Sequence, residues 1–226
     1  MERDLKPQLV ALDGPVAVGK SSVGALLARR LGYVFFDTGT MYRAFTWKVL
    51  KSGIPIEDEQ ELCQLANTTR FDFVTSQDCC LSPIVDDEDV SSRLFRPEIE
   101  DLVSLASKIA GVRQALILEQ RRLAQRGKVV MAGRDIGTVV LPWAELKIFL
   151  TASPEERAKR RHKELSGRGE NASLETVLAD LEKRDGMDIN RAISPLKPAE
   201  DAIIVNTEGR TLTQIVDNLY ALAVRL

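Results

Sequence analysis

Histidine and cysteine are scarce in this chain of 226 residues, and their scarcity excludes several kinds of site. The one histidine, His162, and the three cysteines form neither a CxxC nor an HExxH pattern, so the sequence offers almost no ligands for a zinc or other transition-metal site. Cys63, Cys79 and Cys80 cannot all pair, and neighbours in sequence rarely form an unstrained disulfide. We therefore expect reduced thiols.

The chain also lacks an excess of charge of either sign, with 31 lysines and arginines against 33 aspartates and glutamates. We expect no binding to nucleic acid or membranes through a global field, so any anion-binding site must be local. The first apolar run is too short to span a bilayer or to serve as a signal sequence. The expectation is a cytoplasmic protein that acts as a monomer on small molecules.

Five short apolar runs, each bounded by turn residues, predict five buried strands. Helical patterns lie between them; Val23, Leu27 and Leu31, for example, fall on one face of a helix that Gly32 should end. Strands that alternate with helices predict an α/β fold with a five-stranded parallel sheet flanked by helices. The predicted strands are 9–12, 33–36, 129–132, 146–150 and 202–205.

The stretch 57–104 breaks this alternation, and we interpret it as a subdomain inserted into a single domain that covers residues 1–226. The core then comprises about 7–56, 105–152 and 200–226.

A phosphate-binding loop follows the first predicted strand and precedes the first predicted helix. Residues 14–21 fit the pattern GxxxxGK[ST]. Glycines permit the backbone angles that aim successive amides at a phosphate, and the helix N-terminus adds a positive dipole. Lys20 should reach the β- and γ-phosphates, and the hydroxyl of Ser21 should join the shell of a Mg²⁺ ion. The predicted ATP-binding residues are Gly14, Pro15, Val16, Ala17, Val18, Gly19, Lys20, Ser21 and Ser22.

Three further segments, taken with this loop, indicate which class of nucleotide-binding protein this is. They are Asp-Thr-Gly-Thr-Met-Tyr-Arg at 37–43, Gly-Arg-Asp-Ile-Gly-Thr at 133–138 and Asn-Arg-Ala-Ile-Ser-Pro-Leu at 190–196. In this order, and with the insertion at 57–104, the chain closely resembles the bacterial cytidylate kinases over nearly its whole length. The resemblance implies a P-loop kinase fold in which the insertion binds the acceptor nucleotide. It also implies Mg²⁺-dependent transfer of the ATP γ-phosphate to CMP or dCMP.

In that family, the segment resembling 37–43 lines the acceptor site, which implies that Thr38, Tyr42 and Arg43 contact the phosphate and sugar of the nucleotide. The charges agree with this role, because a monophosphate is a dianion and a planar guanidinium binds its oxygens in pairs. Strand carboxyl ends are also where open parallel sheets bind ligands. Taken alone, Arg43 would be interpreted as a solvated helix charge.

The resemblance places Arg134 at the acceptor phosphate and Asp135 at the amino group of cytosine. Cytosine presents an N4 donor, for which a carboxylate is the complementary acceptor. Ser104 and Arg113 resemble the residues that bond the remaining base edge, although both could equally be ordinary helix-surface residues.

Two residues late in the chain, Arg184 and Asp188, resemble the pair that binds the ribose hydroxyls, and Arg191 resembles a further phosphate-facing arginine. Their spacing also allows Arg184 and Asp188 to form an i,i+4 ion pair with each other.

The stretch 153–190 resembles the helical lid that closes over ATP in related kinases. The resemblance implies that Arg157 and Arg161, four residues apart, reach the transferring phosphoryl group and act in catalysis with Lys20 and Arg191. Without the family, a basic amphipathic helix is usually a solvated face.

Two other classes remain possible at this point. One is a P-loop kinase with another acceptor, such as shikimate or a purine nucleotide. The other is a switch GTPase or a nucleotide-dependent regulatory protein. The Asp-Thr-Gly segment and the insertion argue against the first, and the lack of an Asn-Lys-x-Asp string argues against a GTPase.

Overall fold

A five-stranded parallel sheet lies at the centre of the structure, a computed structural model that describes residues 6–167 and 169–225. Along the chain the strands and helices are β1 (Leu9–Asp13), α1 (Lys20–Leu31), β2 (Val34–Asp37), α2 (Thr38–Ser52), α3 (Glu59–Thr68), β3 (Phe71–Thr75), β4 (Leu81–Val85), β5 (Glu88–Asp89), α4 (Pro97–Ala106), α5 (Ala110–Ala124), β6 (Val129–Gly133), β7 (Leu146–Thr151), α6 (Pro154–Gly167), α7 (Leu174–Ile189), β8 (Ile203–Asn206) and α8 (Leu212–Ala223). A 3₁₀ helix at Ser91–Arg93 and a π-helix at Ile136–Val140 complete the order.

The central sheet has the order β2-β6-β1-β7-β8, and all of its neighbouring strands are parallel. The five predicted strands are therefore confirmed, with shifts of about one residue at their ends. β1 is buried along its whole length, as its continuous apolar run predicts. Its side chains alternate between two cores: Val10 and Leu12 pack with α1 and α8, whereas Leu9 and Ala11 pack with α2 and α5.

The helix boundaries follow from local sequence signals. Gly32 ends α1 in the left-handed conformation, with φ of 74°, and its amide returns to the carbonyls of the last turn. Asp37 caps α2 by accepting a hydrogen bond from the amide of Gly39. Thr211 and Gln214 form a reciprocal capping box at the start of α8. No helix in the described part of the chain is both long and apolar enough to cross a membrane.

A small antiparallel sheet of order β3-β4-β5 lies between α3 and α4 in the chain order of the predicted insertion. Leu62, Phe71, Val85 and Ile99 from this region share one apolar core with Phe45 of α2. The insertion thus packs directly onto the main domain. The expected boundary between 104 and 105 falls inside α4, because this helix continues to Ala106 before the chain turns into α5.

Helices α6 and α7 form a hairpin over the phosphate loop. Ala158 of α6 packs against Val177 and Leu181 of α7, and Val16 and Ala17 of the loop pack against the same small core. The stretch predicted to be a lid therefore rests on the loop that it was expected to cover.

A buried carboxylate ties the end of β1 to the π-helix. Asp13 is 4 % exposed, and its two carboxylate oxygens accept hydrogen bonds from the amides of Ile136, at 2.8 Å, and Gly137, at 2.7 Å. Burial is the main cause that raises the pKa of Asp13 from 3.8 to about 6, against the opposing effect of the two amides. The segment that carries Arg134 and Asp135 is thereby fixed to the residue preceding the phosphate loop.

The raised pKa of Asp13 predicts a pH-dependent contribution to stability. The folded chain holds this proton more tightly than the unfolded chain, so the stabilisation is complete below the ordinary pKa of 3.8 and is lost as the pH rises through about 6. The free energy of unfolding of the wild type, relative to that of Asp13→Asn, should fall by roughly 2 to 3 kcal/mol between about pH 4 and pH 7. Urea denaturation of both proteins measures this, with Asp101→Asn, an exposed position on α4, as the control. A difference that does not change with pH would contradict the expectation.

Candidate active site

A cavity of about 780 Å³ opens at the carboxyl ends of the central strands. It is walled by the phosphate loop, the start of α2, helix α4, the segment after β6, and the α6–α7 hairpin. Every residue that the sequence assigned to a site lines this cavity, except Gly14, Pro15, Val18 and Arg157. The predicted phosphate-donor and acceptor residues thus face one another across one space.

The phosphate loop has the backbone geometry that its glycines predict. Gly14 has φ of 151°, and an added Cβ would lie 2.5 Å from the carbonyl oxygen of Leu150. Gly19 has φ of 97°, at the residue just before α1. Only glycine fits these positions without strain, so the amides of the loop can turn toward the cavity.

Lys20 is the buried cation of this loop. Its ammonium donates hydrogen bonds to the carbonyls of Gly14, at 2.7 Å, and Pro15, at 2.6 Å. Burial is the largest cause that holds the pKa of Lys20 well below its ordinary value, and the nearby Arg134 lowers it further. An anionic phosphate beside Lys20 would favour its charged form.

Ser21 and Asp37 form a pair of oxygen groups beside Lys20. The hydroxyl of Ser21 donates to Asp37 at 2.6 Å, and both residues line the cavity. Across the described residues, no group of three or more histidine, cysteine or acidic side chains is placed to hold a metal ion. Two oxygen groups suit Mg²⁺, which binds few protein ligands and completes its shell with phosphates and water. Asp37 was not among the residues predicted for this role, although it starts the segment 37–43.

A buried cluster of two arginines and a carboxylate forms the far end of the cavity. Arg113 is 2 % exposed and donates to Asp135 and to the carbonyl of Ser107. Arg191 lies 3.6 Å from the other oxygen of Asp135, which is an ion pair without a hydrogen bond. The alternative interpretation of Arg113 as an ordinary surface residue of its helix is therefore wrong.

Three buried polar atoms at this end of the cavity make no hydrogen bond within the described chain: the hydroxyl of Tyr42, Nε of Arg113 and one terminal nitrogen of Arg191. A buried polar group without a hydrogen bond costs on the order of 1–3 kcal/mol, so this end of the cavity has donors that a polar ligand could use, although the Arg191 nitrogen already has Asp135 as its ion-pair partner. Burial raises the pKa of Tyr42 to about 12, so its hydroxyl is a neutral donor at physiological pH.

The remaining predicted acceptor residues form two more groups of charges. Arg134 donates to Asp188 at 2.7 Å, and Arg191 also approaches Asp188, at 3.8 Å. Arg184 pairs with Glu100 across the cavity, and Asp188 pairs with Arg134. The two residues that could have formed an i,i+4 ion pair therefore each have another partner.

Positive charge exceeds negative charge in the acceptor half of the cavity. Five arginines face three carboxylates there, an excess of two positive charges, and Lys108 adds a third, so this half of the cavity can neutralise a phosphate monoester dianion. The residues counted are Arg43, Arg113, Arg134, Arg184 and Arg191 against Glu100, Asp135 and Asp188.

Thr38 and Ser104 line the cavity, and the Thr38 hydroxyl and the Ser104 main-chain carbonyl have partners within the protein. The hydroxyl of the buried Thr38 donates to the carbonyl of Ala132 at 2.9 Å, which joins the start of α2 to β6. The carbonyl of Ser104 accepts from the hydroxyl of Ser107 at 3.0 Å. In this arrangement Thr38 positions the acceptor helix.

The structure places Arg157 differently from the sequence expectation of an inward catalytic arginine. Its guanidinium is buried behind the phosphate loop, where it donates to the carbonyl of Val16 at 3.1 Å and pairs with Asp185 of α7 at 2.6 Å. The assignment of Arg157 to the transferring phosphoryl group is corrected on this geometry, because the side chain holds the loop and α7 together. Arg161 does line the cavity.

Arg160 and Glu100 line the cavity although the sequence analysis did not assign them to it. Arg160 donates to the side chain and carbonyl of Thr207, both at 2.9 Å, and so connects α6 to the loop before α8. Knowing which residues of α6 face the cavity would have been necessary to predict that Arg160 lines it. Nothing in the acidic run around Glu100 distinguishes it from its neighbours.

Comparisons with known proteins agree with this geometry. The family model described as cytidylate kinase matches residues 10–225. A cytidylate kinase from Desulforamulus reducens is 45 % identical over 210 residues, which cover 93 % of this chain and 94 % of that protein. One from Geobacillus sp. WCH70 is also 45 % identical over 210 residues, covering 93 % of each chain.

Solved structures show a similar fold at low sequence identity. A gluconokinase from Sinorhizobium meliloti 1021 aligns with a TM-score of 0.51 at 18 % identity, covering 99 % of this chain and 94 % of that one. This likeness supports the fold alone. With the family match over nearly the whole length, and with a phosphate loop facing an arginine-rich cavity, the chain belongs to the cytidylate kinase family.

Proposed function

We propose that the protein transfers the γ-phosphate of ATP to CMP or dCMP, giving ADP and CDP or dCDP. The observation that carries the proposal is the buried Arg113–Asp135–Arg191 cluster in the same cavity as the phosphate loop. In this cluster Arg113 and Arg191 each carry a nitrogen without a hydrogen bond, and Asp135 carries a carboxylate, which matches a base edge that offers both an acceptor and an N4 donor.

The acceptor nucleotide would fill the cavity from its buried end. Asp135 would accept from the cytosine amino group, and Nε of Arg113 would donate to the carbonyl edge of the base. Tyr42, Arg184 and Asp188 are the proposed contacts to the sugar, and the excess of arginine charge is the proposed site of the phosphate.

The donor nucleotide would lie on the phosphate loop, with Lys20 and the loop amides on its phosphates. Phosphoryl transfer needs positioning and neutralisation of charge more than covalent help from the protein. Lys20, Arg161 and Arg191 are the cations that we assign to this work, and Arg157 positions the loop. Mg²⁺, which we propose enters with ATP at Ser21 and Asp37, supplies further neutralisation of the phosphate oxygens.

Closure of the α6–α7 hairpin would exclude water, which could otherwise accept the phosphoryl group. We also propose that the protein is active as a monomer. We propose a cytoplasmic location for this reaction.

A panel of acceptors tests the proposed reaction. ADP release is measured with Mg²⁺ and ATP and, at equal concentrations, CMP, dCMP, UMP, AMP, GMP or shikimate. We expect turnover of CMP and dCMP well above that of the other acceptors, because Asp135 accepts from the N4 amino group that uracil lacks. Preferential turnover of a purine nucleotide or of shikimate would overturn the acceptor assignments. A lack of any turnover would favour a regulatory protein.

Two substitutions test the proposed catalytic cations. Lys20→Ala and Arg191→Ala should each lower kcat by roughly a hundredfold or more, since each removes a charge that stabilises the transferring phosphoryl group. Circular dichroism and thermal unfolding should show that both variants remain folded. Lys159→Ala and Arg126→Ala, at exposed positions, are the matched controls. Unchanged turnover in either test variant would remove that residue from the proposed mechanism.

A further inference from the structure

Glu100 is a carboxylate in the acceptor cavity with no role in the proposed reaction. It lies on α4, and its side chain is 18 % exposed. One carboxylate oxygen accepts from Nε of Arg43 at 2.9 Å, and the other lies 3.5 Å from Arg184. Arg184 also donates to the main-chain carbonyl of Glu100 at 3.4 Å. Glu100 therefore connects α2, α4 and α7 across the cavity.

Glu100 engages only one edge of the Arg43 guanidinium. A terminal nitrogen of Arg43 lies beside Gly39, where an added Cβ would be 2.9 Å from it, and the guanidinium stacks over the ring of Phe95 with its central carbon 5.2 Å from the ring centroid. The group is thus held from three sides. Its remaining edge can still bind a phosphate, as the proposed function requires.

The charge of Glu100 opposes that phosphate. Burial alone would raise the pKa of the Glu100 carboxyl, but Arg43, then Arg184 and Arg161, hold it below its usual value, so the group is an anion at neutral pH. A phosphate dianion bound to Arg43 would lie within a few ångströms of this carboxylate. Repulsion at such a distance in a partly buried site is substantial.

We infer that Glu100 is an internal counter-ion of the acceptor-phosphate site, which weakens the binding of every phosphate dianion so that only acceptors with added base and sugar contacts are held. This inference rests on the proposed function. Without Glu100, Arg43 and Arg184 would form an unneutralised pair open to inorganic phosphate. With Glu100, the base contacts at Arg113 and Asp135 become necessary for tight binding.

The substitution Glu100→Gln isolates the charge of this side chain. Glutamine has the same shape and keeps an oxygen that can accept from Arg43, so the arginine stays oriented while the repulsion is removed. Glu98→Gln is the matched control, because Glu98 lies on the same helix but its side chain is 54 % exposed. Its ion pair with Arg96 is long, at 4.0 Å. Glu100→Ala, which removes both the charge and the hydrogen bond, is the second variant.

The measurement is isothermal titration calorimetry of the four proteins with inorganic phosphate and with CMP, both without ATP. We expect the Kd of Glu100→Gln for inorganic phosphate to fall about tenfold, equivalent to about 1.4 kcal/mol. The Kd for CMP should fall in the same direction, and Glu98→Gln should match the wild type. Glu100→Ala should also bind phosphate more tightly than the wild type, but less tightly than Glu100→Gln, because Arg43 loses its orientation.

Phosphate affinity in Glu100→Gln that is unchanged or weaker would overturn the inference, since it would mean that Glu100 only positions Arg43. Steady-state kinetics separate this failure from a failure of the proposed reaction. If the wild type turns over CMP but the Kd for inorganic phosphate does not fall in Glu100→Gln, only the inference fails. If the wild type turns over no CMP, the proposed function fails, and the phosphate titrations still decide the role of Glu100.

Discussion

The parallel register of β1, β2 and β6 is the constraint on which the rest of the site depends. Asp13 at the end of β1 pairs with Gly133 of β6, and Asp37 at the end of β2 pairs with Ala132. Because the three strands end at one level, the phosphate loop, the start of α2 and the segment 134–135 emerge side by side. Asp13 and Thr38 then fix these segments to each other through hydrogen bonds to main-chain groups.

Buried charge is the principal energetic cost of this arrangement. Isolated ions in a protein interior are strongly unfavourable, so each buried arginine here lies against a carboxylate. The pairs serve different ends. Arg157 and Asp185 fix the α6–α7 hairpin to the phosphate loop, whereas Arg113, Asp135 and Arg191 line the cavity and hold donors that make no hydrogen bond within the described chain.

The sequence predicted the central sheet and the phosphate loop because both depend on short-range patterns: apolar runs between turn residues, and glycines at fixed spacing. It could not predict the direction of the lid arginines. Arg157 and Arg161 share a helix face by spacing, yet Arg157 turns behind the loop because Val16 and Asp185 offer it buried partners. Glu100 was missed for the same reason, since its significance depends on Arg43 and Arg184, which are distant in sequence. The insertion boundary was displaced because α4 runs through it.

The proposed function depends on the buried arginine–carboxylate cluster as a recognition site for cytosine, beside an excess of arginine charge for the acceptor phosphate. A crystal structure of the protein with CMP bound tests this most directly. We expect the pyrimidine amino group within hydrogen-bond distance of Asp135, its carbonyl edge at Arg113, and the phosphate between Arg43 and Arg134. A base bound elsewhere in the cavity, with Arg113 and Asp135 still paired only to each other, would contradict it.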